Sequence, residues 1–315
     1  MTKKSIALLL VLALAMAVLC ACGGGETAPP GGEGPSEPAA QTQFINIATG
    51  GTAGTYYPLG GAMAEIMNNN IENVNATAES TGASTANINL LNNGEVEIGL
   101  IQNDVTYYAA NGIELFDGNK IEGLYALASL YPETCQIVTT ADSGITSISD
   151  FAGKRIAVGA AGSGTEANAR QIMAAAGITY DDITYQYLSF AEAATGLKDG
   201  TSDAAFVTAG APTAAVMDIA AQHQLVLIPL DDATCDSLIA QYPFYTKKVI
   251  PGGTYQGVDT DVNTLAVQAM LVVTDDMTDE MAYDITKAIF TNLDRIVAAH
   301  QGVGSLITVD TALDG

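Results

Sequence analysis

One arrangement occurs twice in this sequence: a short β-like run leads into a loop rich in glycine and threonine, which leads into a predicted helix. The first copy starts at Ile45 and has its loop at 49–55, and the second starts at Arg155 and has its loop at 159–165. Such a loop presents backbone N–H groups and hydroxyls beside the positive end of a helix, which suits it to a carboxylate or another anion. The repetition predicts that the two loops form two walls of one cleft.

Length and charge narrow the classes of function. With 315 residues, 48% of them hydrophobic, the chain is long enough for about two domains and is not a disordered protein. Its formal net charge of −24 disfavours nucleic acid as a partner, because phosphates need a basic surface. The same charge repels anions in general, so a bound anion has to be held by local dipoles. High acidity also keeps an exported protein soluble, and the sequence leaves both explanations open.

The first 22 residues have the pattern of a bacterial lipoprotein leader. Lys3 and Lys4 precede an apolar segment from Ile6 to Val18, and Leu19-Cys20-Ala21-Cys22 fits the lipobox. The apolar segment is short for a membrane span, which needs about 20 residues. We therefore predict a signal peptide over 1–21 and acylation of Cys22, with an uncleaved anchor as the alternative. Without the leader, nine basic and 35 acidic residues remain, a net charge of −26.

Residues 22–43 are mostly Gly, Pro, Glu, Ala and Thr and have no apolar period. This composition predicts a flexible tether. Together with acylated Cys22, the tether would hold an extracytoplasmic protein at the outer face of the cytoplasmic membrane.

The remaining cysteines and the histidines give little sign of metal binding. Cys135 and Cys235 could form a disulfide in an oxidising compartment or stay as buried thiols. The sequence has two histidines, His223 and His300, and neither belongs to a close Cys/His cluster. We therefore expect no metal site of the usual zinc type.

From Phe44 onward, strand-like and helix-like segments alternate, which predicts an α/β fold of mostly parallel sheets flanked by helices. We divide it into two lobes. Lobe 1 comprises 44–138 plus 264–315, because its sheet needs the last strand and the helix at 279–299, and lobe 2 comprises 139–263. The two chain crossings between the lobes form the predicted hinge.

Local sequence patterns also predict individual elements. A helix is expected at 190–198, closed by a glycine. Two separate strands, 124–130 and 136–140, are expected on either side of Tyr131-Pro132, and 243–263 is expected to be a loop.

The candidate ligand-binding residues lie in the two loops and near other strand ends, because ligands of open α/β sheets lie outside the carboxyl ends of the strands. Tyr56 adds a ring that can stack on a small ligand and a hydroxyl that can bond to it. The alternative for each candidate is a structural role in a turn, a helix cap or the core. The candidates are Thr49, Gly51, Thr52, Thr55 and Tyr56 in the first loop, Gly162, Ser163, Gly164 and Thr165 in the second, and Ser84, Gln102, Phe190, Thr208 and Gly210 elsewhere.

Motifs of other functions are incomplete or absent. The second loop has P-loop spacing between Gly159 and Gly164, but Thr165 stands where the phosphate-binding lysine belongs, so nucleoside triphosphate binding is rejected. Gly162, Gly164 and Ala167 match a dinucleotide fingerprint weakly, and an exported protein lacks a ready supply of that cofactor. The sequence has no G-x-S-x-G or H-E-x-x-H motif. We expect a non-catalytic protein without a cofactor, and an exported α/β enzyme acting on a small anion is the alternative.

The chain from 44 to 315 resembles the TAXI-type solute-binding proteins of tripartite ATP-independent periplasmic (TRAP) transporters. The resemblance implies a two-lobed, type II periplasmic-binding-protein fold that closes on a solute. Members usually continue past a segment like 311–315 into a histidine-proline-glycine motif and a last helix, which this sequence does not contain. The motifs that carry the resemblance are Ala48-Thr49-Gly50-Gly51-Thr52-Ala53-Gly54-Thr55-Tyr56-Tyr57-Pro58, Ser129-Leu130-Tyr131-Pro132-Glu133, Gly162-Ser163-Gly164-Thr165-Glu166, Leu188-Ser189-Phe190-Ala191-Glu192-Ala193 and Tyr242-Pro243-Phe244-Tyr245.

The resemblance also implies a substrate class and partners. The solute would be glutamate, glutamine or a related dicarboxylate such as 2-oxoglutarate, delivered to TRAP permease membrane subunits driven by an ion gradient. We expect a monomer that contacts this small carboxylate solute, the permease, and the lipid membrane through acylated Cys22. A sensory protein that passes its occupancy to a kinase is a further alternative.

Overall fold

The computed structural model describes residues 41–314. Its strands are β1 (Gln43–Ala48), β2 (Val74–Glu79), β3 (Ile98–Gln102), β4 (Leu124–Thr140), β5 (Arg155–Gly159), β6 (Thr184–Tyr187), β7 (Ala204–Ala209), β8 (Leu225–Leu227), β9 (Thr246–Ile250) and β10 (Val262–Thr274). They form one mixed sheet in the order β2-β1-β3-β10-β4-β7-β5-β6, in which β8 pairs with β4 and β9 pairs with β10.

The sheet consists of two parallel groups joined by an antiparallel pair. β2, β1 and β3 run parallel in one group, and β7, β5 and β6 run parallel in the other. Between them, β10 pairs antiparallel with β3 and with β4, and β4 pairs antiparallel with β7. The predicted α/β class is confirmed, and the two parallel groups belong to one continuous mixed sheet.

Helices flank the sheet and begin at recognisable caps. Ser163 precedes its helix and its Oγ accepts a hydrogen bond from the N–H of Glu166, while Ser189 and Glu192 form a capping box. The helices are α1 (Tyr56–Asn70), α2 (Ser84–Asn92), α3 (Asn103–Asn111), α4 (Gly164–Ala175), α5 (Phe190–Lys198), α6 (Ala214–Ala220), α7 (Asp232–Gln241), α8 (Asp279–Thr291), α9 (Leu293–Ala299) and α10 (Gln301–Gly304).

Both faces of each parallel group are covered by apolar side chains. In the β1 group, α1 and α8 pack on one face and α2 and α3 on the other. In the β5 group, α4 and α7 cover one face, and α5 and α6 cover the other. Coverage of both faces is the usual environment of parallel strands, and it leaves their carboxyl ends free to form a site.

The predicted break at Tyr131-Pro132 is wrong, because β4 continues through it as one strand. The pairing with β10 shifts register there: Ser129 lies opposite Met270, and Pro132 lies opposite Gln268. An extra residue on β4 makes a bulge, and a bulge is where a sheet tolerates the missing N–H of a proline. The continuous strand brings Glu133 into the centre of the molecule.

Two further boundaries differ from the predictions. The predicted loop 243–263 contains the strand β9, whose Lys247 and Lys248 are typical of an edge strand and hide its β pattern. The predicted helix 279–299 is two helices, α8 and α9, separated at Asn292. The Asn292 side chain donates to the carbonyl of Ala288 at 2.8 Å, a local bond that competes with helix continuation.

The predicted signal peptide, the acylated Cys22 and nearly all of the tether lie outside the described residues. Gln43, the last residue of the predicted tether, is the first residue of β1 and pairs with Val74. Within residues 41–314, no helix combines the length and the apolar character needed to cross a membrane.

Candidate functional site

The two glycine and threonine loops line one cavity at the carboxyl ends of β1 and β5. The first loop joins β1 to α1, the second joins β5 to α4, and the cavity between them measures about 60 Å³. One water needs roughly 10–15 Å³ of such space, so this volume accommodates several waters or a few atoms of a solute.

Most of the predicted site residues line this cavity. They come from both loops and from the starts or ends of neighbouring elements. The lining contains Gly51, Thr55, Tyr56, Ser84, Gln102, Ser163, Gly164, Thr165, Phe190 and Thr208.

Four predicted residues lie beside the cavity and do not line it. Thr49 is buried and its hydroxyl donates to the carbonyl of Glu79 at 2.6 Å, which supports the end of β1. Thr52 is exposed at the tip of its loop. Gly162 and Gly210 take part in contacts between the two walls through their backbone groups.

Contacts between the two walls hold the cleft closed in this structure. The N–H of Gly210 donates to Oγ1 of Thr55 at 3.1 Å, and the N–H of Thr85 donates to the carbonyl of Gly162 at 3.2 Å.

Four helices begin at the cavity. Tyr56, Ser84, Gly164 and Phe190 are the first residues of α1, α2, α4 and α5, and all four line it. A helix start carries a partial positive charge and free N–H groups, so the arrangement favours an anion. No lysine or arginine is among the lining residues. The positive potential in the cavity therefore comes from the backbone.

Two glycines are required by close approaches in the second loop. Gly159 has a φ of +102°, and a Cβ there would lie 2.8 Å from Oγ of Ser163. A Cβ on Gly164 would lie 1.8 Å from Oε1 of Gln102, so these two residues touch across the cleft. A larger residue at Gly164 would displace the side-chain amide of Gln102 from this position.

Glu133 is the one acidic residue of the described cavity lining, and it was not among the residues predicted from the sequence. It lies on β4 just after the bulge, and it is 3% exposed. The hydroxyl of Tyr56 donates to Oε2 of Glu133 at 2.7 Å, and the hydroxyl of Tyr131 donates to Oε1 at 3.4 Å. The single charged residue of a long and mostly buried strand was the available signal, because glutamate is almost never fully buried unless it is paired.

Burial raises the pKa of the Glu133 carboxyl to about 8, because the charged form loses its hydration. Hydrogen bonds from Tyr56, Gln102 and Tyr131 oppose this shift, and the negative charge of Asp104 adds to it. A pKa of about 8 favours the protonated form of Glu133 at neutral pH.

The amide oxygen of Gln102 is an acceptor without a partner. Gln102 is 2% exposed and follows directly from β3, where its N–H donates to Oγ of Ser84 at 3.2 Å. Its Oε1 has no hydrogen-bond partner within residues 41–314. Buried polar atoms are normally satisfied, so this oxygen is available to a donor from a ligand.

A second buried polar cluster joins α3 to α4 beside the cleft. The amide of Asn168 donates to Oδ2 of Asp104 at 3.0 Å and to the hydroxyl of Tyr245 at 2.9 Å. The Tyr245 hydroxyl donates to Gln171 at 2.7 Å, and Gln171 donates to Tyr108 at 3.1 Å. Burial raises the pKa of Asp104 to about 6.

Cys135 and Cys235 are both buried free thiols. Among the described residues, no group of three or more His, Cys, Asp or Glu side chains could hold a metal ion.

Comparisons with known proteins agree with this architecture. A family model described as the NMT1-like family matches residues 47–315. A protein from Bordetella bronchiseptica RB50 is similar in structure, with a TM-score of 0.56, 17% identity, and coverage of 82% of this chain and 76% of that one. PhnD1 from Prochlorococcus marinus, in complex with methylphosphonate, also has a TM-score of 0.56, with 9% identity and coverage of 82% and 90%. The expected type II periplasmic-binding-protein fold is confirmed.

Proposed function

The chain belongs to the NMT1-like family, and from this premise we propose that it is an extracytoplasmic solute receptor that captures a small carboxylate in the cavity between its two loops. The observation that carries the proposal is the convergence of four helix starts on one cavity without a lysine or arginine. Backbone dipoles and N–H groups of this kind bind an anion even in a strongly acidic protein.

Capture is coupled to closure of the cleft. Hydrogen bonds between Thr55 and Gly210 and between Thr85 and Gly162 connect opposite walls at the cavity. The buried cluster between α3 and α4 connects them beside it, so opening has to separate both sets of contacts. A solute that touches both walls stabilises the closed state by its difference in affinity for the closed and open states. We assign the moving parts to the two lobes, 44–138 plus 264–315 and 139–263, with the hinge where the chain crosses between them.

The membrane partner that we propose is a TRAP permease, on the strength of the TAXI-like motifs in both loops and in Ser129-Leu130-Tyr131-Pro132-Glu133. Uptake by vesicles that contain the receptor and a candidate permease distinguishes the transporter classes. An imposed ion gradient drives uptake through a TRAP permease, whereas a requirement for ATP would rule out that partner and leave the receptor function intact.

Attachment through Cys22 is part of the same proposal. A membrane-anchored receptor stays close to its permease. The wild type is expected in the membrane fraction of intact cells, and Cys22→Ser is expected to be released from it. Equal partitioning of both proteins would contradict acylation.

Calorimetry with small carboxylates tests the assigned cavity. The Ser163→Ala, Thr165→Ala double variant is expected to bind at least about tenfold more weakly, because it loses two hydroxyls at the start of α4. Ser163 also caps α4, so Thr165→Ala alone is the variant with less effect on stability. The matched control replaces Ser305 and Thr260, which are exposed. Unchanged affinity in the double variant would contradict the assignment.

A substrate screen separates the receptor from the two rival functions. A receptor releases its solute chemically unchanged, an exported enzyme converts it, and a sensory protein alters the activity of a kinase when it is occupied. Turnover of any small anion by the purified protein would contradict the non-catalytic assignment.

A further inference from the structure

We propose that the cavity holds an ammonium group of its solute between Glu133 and Gln102, so that the substrate is an α-amino acid and not a dicarboxylate that lacks an amine. This inference rests on the proposed receptor function and specifies the substrate class of the same cavity.

The first observation is a buried acid without a cation. Glu133 lines the cavity at 3% exposure, and the lining contains no lysine or arginine. The groups that donate hydrogen bonds to it are neutral: the phenols of Tyr56 and Tyr131 and the side-chain amide of Gln102. A buried carboxylate without a counter-ion is strongly disfavoured, whereas a positively charged partner with good geometry stabilises it. The solute is the component that can supply this positive charge.

The second observation is the unpartnered oxygen of Gln102. Oε1 is buried and has no donor within the described part of the chain. It lies at the cavity wall against Gly164, the first residue of α4. A primary ammonium has three N–H donors, so one such group can bond Glu133 and Gln102 together.

The charges that line the cavity favour a zwitterionic amino acid over a dicarboxylate. The ammonium of a zwitterion lies at Glu133 while its carboxylate lies at the helix starts, so both ends find complementary charge. A dicarboxylate such as 2-oxoglutarate brings two negative charges into a cavity that has an acid and no side-chain cation. The net charge of the chain, −24, opposes that solute further.

The acid must ionise when an ammonium binds. Burial raises the pKa of Glu133 to about 8, and the titratable groups around it are Tyr56, Tyr131 and Asp104. Near neutral pH, the Glu133 proton therefore leaves for solvent as the ammonium arrives, and amino-acid affinity increases as the pH rises toward 8. A protonated Glu133 that donates to a solute carboxylate would give the opposite pH dependence.

Calorimetry on the intact protein measures both the preference between solutes and the release of protons on binding. The probes are L-glutamate, L-glutamine and the other proteinogenic L-amino acids, compared with 2-oxoglutarate and succinate. Titrations in buffers of different ionisation enthalpy report the protons released. The wild type is expected to bind an amino acid, to release close to one proton per bound amino acid near pH 7, and to bind more tightly as the pH rises from about 6 to 8.

Glu133→Gln is the decisive variant. It keeps the size of the side chain but cannot ionise, so amino-acid affinity is expected to fall about ten- to a hundredfold and proton release to disappear. Glu72→Gln, at an exposed position, is the matched control and is expected to behave as the wild type.

The outcomes separate the two proposals. If the wild type prefers 2-oxoglutarate or succinate, or if Glu133→Gln keeps wild-type affinity for an amino acid, the ammonium subsite is refuted and the receptor function stands. If neither amino acids nor dicarboxylates bind to the folded wild type, the ammonium subsite and the carboxylate receptor are both refuted.

Discussion

The hydroxyl of Tyr56 donates a hydrogen bond of 2.7 Å to Oε2 of Glu133, which joins the first residue of α1 to the centre of β4. Tyr56 directly follows the first glycine and threonine loop, and Glu133 directly follows the bulge of β4 at Pro132. The bond fixes the buried acid at the cavity wall. It also favours the ionised form of Glu133, against the effect of burial.

Tyr56→Phe removes this donor and leaves the ring in place. The pKa of Glu133 is expected to rise further, because the carboxylate loses a hydrogen bond. Amino-acid affinity near pH 7 should fall by about three- to tenfold, as expected for the loss of one hydrogen bond. Calorimetry over a pH series measures this. Tyr57→Phe is the matched control because Tyr57 is 37% exposed, and equal affinities of the two variants at every pH would refute the role of the bond.

Gly164→Ala tests whether closure needs the contact between Gly164 and Gln102. A methyl group there would lie 1.8 Å from Oε1 of Gln102, so the cleft can close only if the Gln102 amide moves from its buried position. We expect at least about a tenfold loss of solute affinity, because the substitution either removes the Gln102 amide from the site or keeps the two walls apart. Small-angle scattering should show no solute-dependent compaction.

Gly61→Ala is the matched glycine control. Gly61 lies inside α1 with no atom near its Cβ position. Alanine is favoured over glycine in a helix, so this variant is expected to gain about 0.5–1 kcal/mol of stability and to bind normally. Wild-type binding by Gly164→Ala would contradict the closed geometry.

Ala83→Gly is expected to stabilise the protein. Ala83 lines the cavity ahead of α2 with a φ of +70° and a ψ of −148°, a conformation that costs a side chain-bearing residue about 1–3 kcal/mol. Glycine relieves this strain but increases the freedom of the unfolded chain, so the expected net gain is about 1 kcal/mol. Urea denaturation measures it, and a loss of stability would show that the strain is not present in the folded protein.

Asp104→Asn is expected to change how stability depends on pH. Burial raises the pKa of Asp104 from 3.8 to about 6, so between these values the folded state binds more protons than the unfolded state. The contribution of this acid to stability is therefore largest below pH 4 and decreases as the pH rises through 6. Between about pH 4 and pH 7, the free energy of unfolding of the wild type should fall by about 3 kcal/mol relative to that of Asp104→Asn.

The comparison with Asp104→Asn needs urea denaturation of both proteins at each pH. The lost hydrogen bond from Asn168 affects the variant at every pH and cancels in the difference. A difference between the proteins that stays constant with pH would contradict the raised pKa.

The sequence was sufficient where local chemistry decides the structure. The helix expected at 190–198 has those bounds because Ser189 caps its start and Gly200, with a φ of +68°, follows its end. The two glycine and threonine loops were recognisable because glycine, threonine and a helix start occur together after a strand.

The sequence was insufficient where pairing between distant strands determines the structure. Pro132 indicated a break, but a bulge in β4 accommodates the proline opposite β10, and Glu133 follows it into the cavity lining. Gln102 was selected from its position after a strand, while its missing hydrogen-bond partner became visible only in the folded cavity. β9 was missed because its alternation is obscured by the two lysines of an edge strand.

Mass spectrometry of the small molecule released from gently purified, folded protein tests the central claim most directly. We predict one solute near one equivalent per chain, carrying a carboxylate and a primary amine, and able to rebind unchanged after removal. Release of a nucleotide, of a metal complex or of a chemically converted product, or no bound solute together with no binding across the carboxylate panel, would contradict it.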